Sequence, residues 1–396
     1  MKLLFLIADG MGDWPVKELG GKTPLEAAHT PHMDQLAKSC VAGLIRTVPT
    51  GMAPGSDVAN MSLVGFDPAK YHTGRGPIEA AAQGLTLDPN DLVWRLNLVS
   101  VTSPDETGTM LDYSSGHIGT AQSTPLIEDL QSQLGDDDFE FIPGIQYRHL
   151  LVHKGGANQP EAELAIRPPH DITDQAMDQD ITAYAQSPRM KALFDAAAKR
   201  LGRPDNGTKA NAIWPWGQGR PLILPDFADT YGMKGAVISA VDLVKGLGRA
   251  SGMEVIDIPG ATGLLDTNYQ GKVDAALDFL SSGGDYVYLH VEAPDECGHS
   301  GIVADKVKAI DQFDEHIVGP LIEALAGEDV AFMITCDHFT PLIERTHTTD
   351  PVPFLISHPS CTMHGLPAFS EANAAGTGVM VEHGHEALKY TLEVLS

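Results

Sequence analysis

The sequence predicts an α/β fold: a mostly parallel sheet between helices, with a second α/β domain inserted into the first. Three observations lead there. Short apolar runs alternate with helical patterns along both ends of the chain. The middle third breaks that rhythm. And 396 residues are many for a single hydrophobic core.

The strand candidates are Leu3–Ala8, Ala236–Ala240, Tyr286–Val291, Val330–Thr335 and Pro353–Ser357. Each is a continuous apolar run rather than an alternating one, the pattern of strands buried on both faces. Helices fit between them. Over Ala304–Leu325, Val307, Ile310, Phe313 and Ile317 recur at threes and fours and define one face. Val241–Leu247 and Val273–Leu280 read the same way. From Pro77 to Arg220 polar and proline-rich pieces interrupt the pattern, such as "SPDETGTM", "GDDDFEFIPG" and "RPPHDITDQ". The expected division is therefore 1–76 with 221–396, and 77–220 as the insertion.

The formal net charge is −27, from 53 acidic and 26 basic residues. Such a surface repels nucleic acid and anionic membranes, so neither is an expected partner. A small anionic substrate needs a local cationic site, and a divalent cation suits the acidic balance. Cys40, Cys297, Cys336 and Cys361 form no C-x-x-C pair and read as reduced thiols of a cytoplasmic protein. The start "MKLLFLIADG" resembles a signal peptide, but its apolar run is short and Asp9 ends it. No apolar run approaches the ~20 residues needed to cross a bilayer.

In open α/β sheets, sites form beyond the carboxyl ends of the strands. Asp9 follows the first run, in "LLFLIADGMGD". Asp295 and His299 follow Tyr286–Val291, in "HVEAPDECGHSG". Asp337, His338 and His347 follow Val330–Thr335, in "TCDHFTPLIERTHTTDPVP". Alone, each piece has an ordinary reading: a turn at "DG", a helix start at "DECGH", a capped turn at "CDH". Together they place three Asp and three His at one end of the sheet. Carboxylate oxygens with imidazole nitrogens suit Zn²⁺ or Mn²⁺, and six ligands are about right for two ions. Asp295 and His299, four apart, share one helical face. His383 and His385 in "VEHGHEAL" are rival ligands read here as structural.

Ser56, in "PTGMAPGSDVANMSLVGFDP", opens a helical run. A helix N-terminus favours phosphate, and a serine there beside a metal can act as a nucleophile. Ser56 or Asp57 is equally a good N-cap for an ordinary helix. Arg75 lies between two glycines in "YHTGRGPIEAAAQG" and reads either as a phosphate grip or as a solvent-facing hinge residue.

Taken as a set, "ADGMGD", "GGKTPLEAAHTPHMDQLA", "PGSDVANMSLVGFDP", "TGRGPIEAA", "APDECGHSG" and "TCDHFTP…THTTDPVPFLI" are similar to the cofactor-independent phosphoglycerate mutases. The shorter, archaeal-type branch, within the alkaline phosphatase superfamily, is the nearer match. The resemblance runs from residue 3 to about residue 357. It implies two divalent ions, manganese first and zinc or magnesium otherwise, and no 2,3-bisphosphoglycerate. One ion falls to Asp9, Ser56, Asp337 and His338, the other to Asp295, His299 and His347. It implies interconversion of 3- and 2-phosphoglycerate through phosphoserine, by a monomer or small homo-oligomer. The inserted domain is expected to grip the substrate. His117 in "SSGHIGT", Arg148 in "YRHLLV", Arg220 in "IWPWGQGR" and Lys272 in "TNYQGK" are its candidate ligands, with Arg75. His117 reads equally as a core histidine and Arg148 as a surface cation. One departure is notable: the archaeal-type pattern "PGSDTAHLALLGYDP" here reads "PGSDVANMSLVGFDP". It leaves open a phosphotransferase of homoserine-kinase type, or a phosphatase, acting on another small hydroxyl metabolite.

Overall fold

The computed structural model describes residues 1–361 and 365–396. The chain divides into two compact units, Met1–His72 with Ile223–Ser396, and Thr73–Leu222. Among the described residues the strands are, in chain order, β1 (Lys2–Ala8), β2 (Val41–Ile45), β3 (Leu92–Val101), β4 (Met110–Asp112), β5 (Phe139–Ile145), β6 (Arg148–His153), β7 (Ala212–Gly219), β8 (Gly235–Ile238), β9 (Glu254–Val255), β10 (Tyr286–Val291), β11 (Val330–Thr335), β12 (Val352–Ser357) and β13 (Met380–Val381).

The first unit holds one sheet in the order β13-β2-β12-β11-β1-β10-β8-β9. Leu3 to Ala8 are fully buried, as a strand covered on both faces must be. β1 runs parallel to β10 and to β11, and β10 runs parallel to β8. Register then aligns the strand exits. Ile7 faces Thr335 on one side and His290 on the other, so Asp9, Glu292 and Asp337 leave the sheet along one edge. β12 is antiparallel to both β11 and β2. The loop 336–351 therefore begins and ends at that same edge and never crosses the sheet.

The long helix expected over 304–325 is interrupted. Val303–Phe313 is α-helical, Asp314–Val318 forms a π-helical turn, and Gly319–Ala324 resumes the helix. Pro320 lacks the N–H that an unbroken helix needs there. The widened turn presents the buried Asp314 carboxylate to the N–H groups of His32 and Met33 at 3.1 and 2.7 Å. On the expected apolar face Ile310, Phe313 and Ile317 are fully buried. Lys306 is fully buried, whereas its neighbour Val307 is only partly so.

The second unit has a five-stranded sheet, β4-β3-β6-β5 with β7 on the other side of β3. Every pairing in it is antiparallel. Its core includes stacked Tyr184 and Phe194, with ring centroids 5.2 Å apart, and Trp214 edge-on to Tyr184 at 5.7 Å. Among the described residues no helix is long and apolar enough to cross a membrane.

Candidate active site

Each ligand-type side chain is set by its backbone. The Asp9 N–H continues the ladder by donating to the Val291 carbonyl at 2.9 Å. Gly10 is next, with φ +61°, and a Cβ there would lie 2.6 Å from both Asp295 Oδ1 and Thr340 Oγ1. Only glycine allows the β1 exit to close onto the Asp295 turn. Asp295 and His299 share the helix Ala293–Ser300, which Gly301 ends in the left-handed conformation. Ser56 is the first residue of the helix Ser56–Leu63; its N-cap is Gly55, which makes no side-chain cap bond. The capping alternative for Ser56 and Asp57 thus gives way, because the serine hydroxyl points elsewhere.

It points at His338. Ser56 Oγ lies 3.0 Å from His338 Nε2. That nitrogen is 3.3 Å from Asp337 Oδ2 and 3.6 Å from Asp9 Oδ1. The His338 ring stacks on His347 with centroids 3.9 Å apart. His347 Nε2 lies 3.5 Å from Asp295 Oδ1 and 3.0 Å from His299 Nε2. His299 Nε2 is 3.2 Å from Asp295 Oδ2. The structure thus brings Asp9, Ser56, Asp295, His299, Asp337, His338 and His347 into one cluster.

Two compact donor sets stand out within it: Asp295, His338 and His347, and Asp9, His290 and Asp337, each with ligand atoms within 4.8 Å of one another. His338 therefore lies between the two groups rather than plainly in one. His290 is an addition to the residues expected from sequence. It sits inside β10, with Nε2 3.1 Å from Asp9 Oδ2. Its signal is a lone histidine in the otherwise apolar-aromatic run "YVYLHV".

The donor set fits a divalent cation. Asp9 Oδ1 is buried and has no hydrogen-bond donor among the described residues. Burial, and then Asp337 and Asp295 nearby, push the Asp9 carboxyl well above its usual range. His299 Nδ1 lies 2.9 Å from the Arg345 carbonyl, to which it donates. That leaves its Nε2 facing His347 Nε2 and Asp295, and the Asp295 hydrogen bond lifts its pKa to about 9. Crowded carboxylates and facing imidazole nitrogens call for positive charge at this point, and a metal ion supplies it.

The remaining candidates divide. His383 and His385 are not in the cluster; His385 Nδ1 lies 3.8 Å from Asp67. Asp350 accepts from Thr348 within its own loop. Lys272, expected to contact substrate, is fully buried and donates to the His290 carbonyl at 2.8 Å. Its ammonium thus lies inside the core on a main-chain oxygen of β10 rather than on an open surface. Burial lowers its pKa to about 8.

In the second unit, Arg220 donates to Ala157 O and to Asn158 Oδ1 at 3.2 and 2.6 Å. Arg75 begins the helix Arg75–Ala82. His117 is exposed with φ +53°, which rules out the core-histidine reading. Its ring is 6.3 Å from both Tyr113 and Tyr147, and the Arg148 guanidinium is 5.9 Å from the Tyr147 ring. Arg95 is a second addition. It is a charge inside the buried run "LVWRLNLVSV", lying 4.5 Å over Trp216 and 3.0 Å from Glu79. Burial lowers its pKa, and the charges of Arg75 and Arg148 lower it further. Three guanidiniums thus share a neighbourhood in which Glu79 is the carboxylate paired with Arg95.

The family model described as the Metalloenzyme superfamily matches residues 1–383. A Geobacter sulfurreducens protein named probable 2,3-bisphosphoglycerate-independent phosphoglycerate mutase is 45% identical over 403 residues, covering 99% of this chain and 100% of the relative. A Methanothrix thermoacetophila protein with that activity in its name is 43% identical over 399 residues, covering 98% and 99%. Among solved structures, a Pyrococcus horikoshii protein superposes with TM-score 0.81 at 27% identity, covering 100% of this chain and 97% of that one. The cofactor-independent phosphoglycerate mutase of Thermoplasma acidophilum gives TM-score 0.64 at 25% identity, covering all of both chains. With a superfamily match over nearly its whole length and relatives this similar, the chain belongs to the Metalloenzyme superfamily and, within it, to the cofactor-independent phosphoglycerate mutases.

Proposed function

We propose that this protein interconverts 3-phosphoglycerate and 2-phosphoglycerate through a phosphoserine at Ser56, without 2,3-bisphosphoglycerate. The observation that carries the reading is the Ser56 hydroxyl, 3.0 Å from His338 Nε2, at a helix N-terminus beside the Asp–His cluster. Asp9, Asp337 and His338 with Ser56, and Asp295, His299 and His347, are assigned to two divalent ions, with manganese as the first candidate and His290 as an added donor near Asp9. When bound, the ions lower the pKa of the serine hydroxyl and neutralise phosphate charge.

The chain's own groups do the rest. The first turn of the Ser56–Leu63 helix offers N–H groups and a positive dipole end to the phosphoryl oxygens. Ser56 Oγ attacks phosphorus in line; the P–Oγ bond forms as the ester bond to the 3-oxygen breaks, and the proton lost by the serine is balanced by the one taken up by the departing 3-oxygen, leaving glycerate. The glycerate 2-hydroxyl then attacks the phosphoserine; the new P–O bond forms as the P–Oγ bond breaks, and a proton lost from the 2-hydroxyl is matched by one regained at Ser56 Oγ. Arg75 and Arg148, beside the buried Arg95, supply in the second unit the positive charge that an acid with two anionic groups requires, and His117 lies exposed near Tyr147, the ring that Arg148 also approaches. The four cysteines are free, which suits a reducing cytoplasm.

An enolase-coupled assay with 3-phosphoglycerate tests this. Turnover is expected with Mn²⁺ and no added bisphosphoglycerate, and to vanish with EDTA. Ser56→Ala is expected to lose at least about 10³-fold in kcat. A wild-type protein that hydrolyses phosphate esters but leaves 3-phosphoglycerate unchanged would move the assignment to another hydroxyl acceptor.

A further inference from the structure

Asn60 has no solvent exposure and sits one turn after Ser56. Its Nδ2 donates to the Ser56 carbonyl at 2.9 Å and to Asp337 Oδ2 at 2.8 Å. Its Oδ1 accepts from the Tyr288 hydroxyl of β10 at 2.6 Å. These partners fix the amide orientation. A flipped amide would turn Oδ1 toward two other oxygens and Nδ2 toward a phenol proton. The Tyr288 ring stacks on Phe5 at 5.5 Å, so the hydroxyl is held in place. The other Asp337 oxygen, Oδ1, accepts from the N–H groups of Gly10 and His338 at 3.1 and 2.9 Å. Asn60 therefore joins three elements: the serine helix, β10 and the β11 exit.

We propose that Asn60 and Tyr288 form a positioning pair that holds the Asp337 carboxylate and the Ser56 backbone in one register, so that hydroxyl and carboxylate converge on the same ion. The pair touches no substrate. It rests on the assignment of Asp337 and Ser56 to a metal made above. The amide does two things at once. It leaves Asp337 Oδ2 a defined direction for its remaining lone pair, and it ties the first turn of the serine helix to that carboxylate. Partners of this outer kind set metal affinity, and their loss commonly costs ~10–100-fold in affinity or activity.

The test is Mn²⁺ titration of the full-length protein, following free Mn²⁺ by electron paramagnetic resonance, alongside kinetics at saturating metal. Asn60→Ala is expected to weaken Mn²⁺ binding about 10–100-fold and to lower kcat about tenfold, with KM for 3-phosphoglycerate unchanged. Excess Mn²⁺ is expected to restore part of the activity. Tyr288→Phe removes only the hydroxyl that fixes the amide, and is expected to weaken Mn²⁺ binding by a few-fold to tenfold. It preserves ring volume and core packing, so it decides the matter if Asn60→Ala fails to fold. Wild-type Mn²⁺ affinity and kcat in a folded Tyr288→Phe, with the same result or no folding in Asn60→Ala, would overturn the pair. So would a wild-type protein that binds no Mn²⁺. If wild type binds Mn²⁺ but leaves 3-phosphoglycerate unchanged, the proposed substrate falls while the Mn²⁺ arm still judges the pair.

Discussion

The two units concentrate opposite chemistries. In the first, buried carboxylates and imidazoles crowd the exits of parallel strands. Asp9, Asp337 and His338 are each at most 1% exposed. In the second, guanidiniums and aromatic rings share an antiparallel sheet and its helix, with His117 exposed and Arg148 partly so. In a chain with a net charge of −27, three buried carboxylates, Asp9, Asp295 and Asp337, meet in the first unit, while most of the few arginines fall in the other. The difference is one of support. The first cluster is held by main-chain register and buried hydrogen bonds, so its geometry is a property of the fold. The second relies on ring faces and long side chains, so single members can be lost with the fold intact.

The sharpest way to break that contrast is to remove a support from the first unit. Lys306 Nζ donates to Asp13 Oδ2 at 2.8 Å, to Thr340 O at 2.8 Å and to Gly12 O at 3.2 Å, with lysine and aspartate both buried. It ties the β1 exit loop to the segment just past His338. Lys306→Met leaves the Asp13 carboxylate without its cation, which costs about 3–5 kcal/mol at buried pairs. Thermal denaturation should show a large loss of stability and Mn²⁺ content should fall with it. Unchanged stability would mean that the cluster does not depend on this strut.

The same contrast explains what can be read in the sequence. Asp9, Asp295, His299, Asp337, His338 and His347 are legible because parallel strands deliver their exit loops to one edge, and the apolar runs mark the strands. Ser56 is legible from the helix that starts there. Asn60 and Tyr288 are not, since an amide's role depends on which strand supplies its partner. Lys306 has the look of a polar residue in an amphipathic helix and Lys272 that of a candidate substrate ligand, and only three-dimensional packing shows that both ammonium groups end on buried oxygens. The break at Asp314–Val318 reflects Pro320 together with the Asp314 contacts to His32 and Met33, both distant in sequence. In the second unit the antiparallel sheet gives no common exit edge, so spacing alone cannot place Arg95.

A second, smaller effect belongs to that unit. His149 Nδ1 accepts from the Gly144 N–H at 2.9 Å, so the buried ring is neutral. Burial lowers its pKa to about 4 from the ordinary 6.5. The unfolded chain takes up the proton near pH 6.5 and the folded one only near 4. Stability therefore falls as the pH drops through this window and is unaffected above it, by roughly 3 kcal/mol in full. Three of the four tryptophans, Trp94, Trp214 and Trp216, lie in this unit, so urea unfolding followed by their fluorescence reports on it. His149→Gln should flatten the slope between about pH 6.5 and 4. An identical slope in the variant would assign the acid sensitivity to other groups.

The smallest expected effect sharpens the contrast most, because it asks whether the cationic cluster can be cut without touching the anionic one. Arg148 lies 5.9 Å from the Tyr147 ring and close enough to Arg95 to depress its pKa. On the proposed role of these arginines, removing one of three removes attraction for an anionic group in ground and transition state alike. Arg148→Ala should therefore raise KM for 3-phosphoglycerate about 10–30-fold, roughly 1.4–2 kcal/mol, with kcat nearly unchanged. Arg148→Lys keeps the charge but not the two-pronged donor geometry, and should fall between. Bound Mn²⁺ and the thermal midpoint should stay at wild-type values in both. A fall in kcat at constant KM would place Arg148 on the migrating phosphoryl group, where charge develops only in the transition state. A loss of Mn²⁺ would show that the two clusters are energetically coupled, and the division of labour between the units would have to be redrawn.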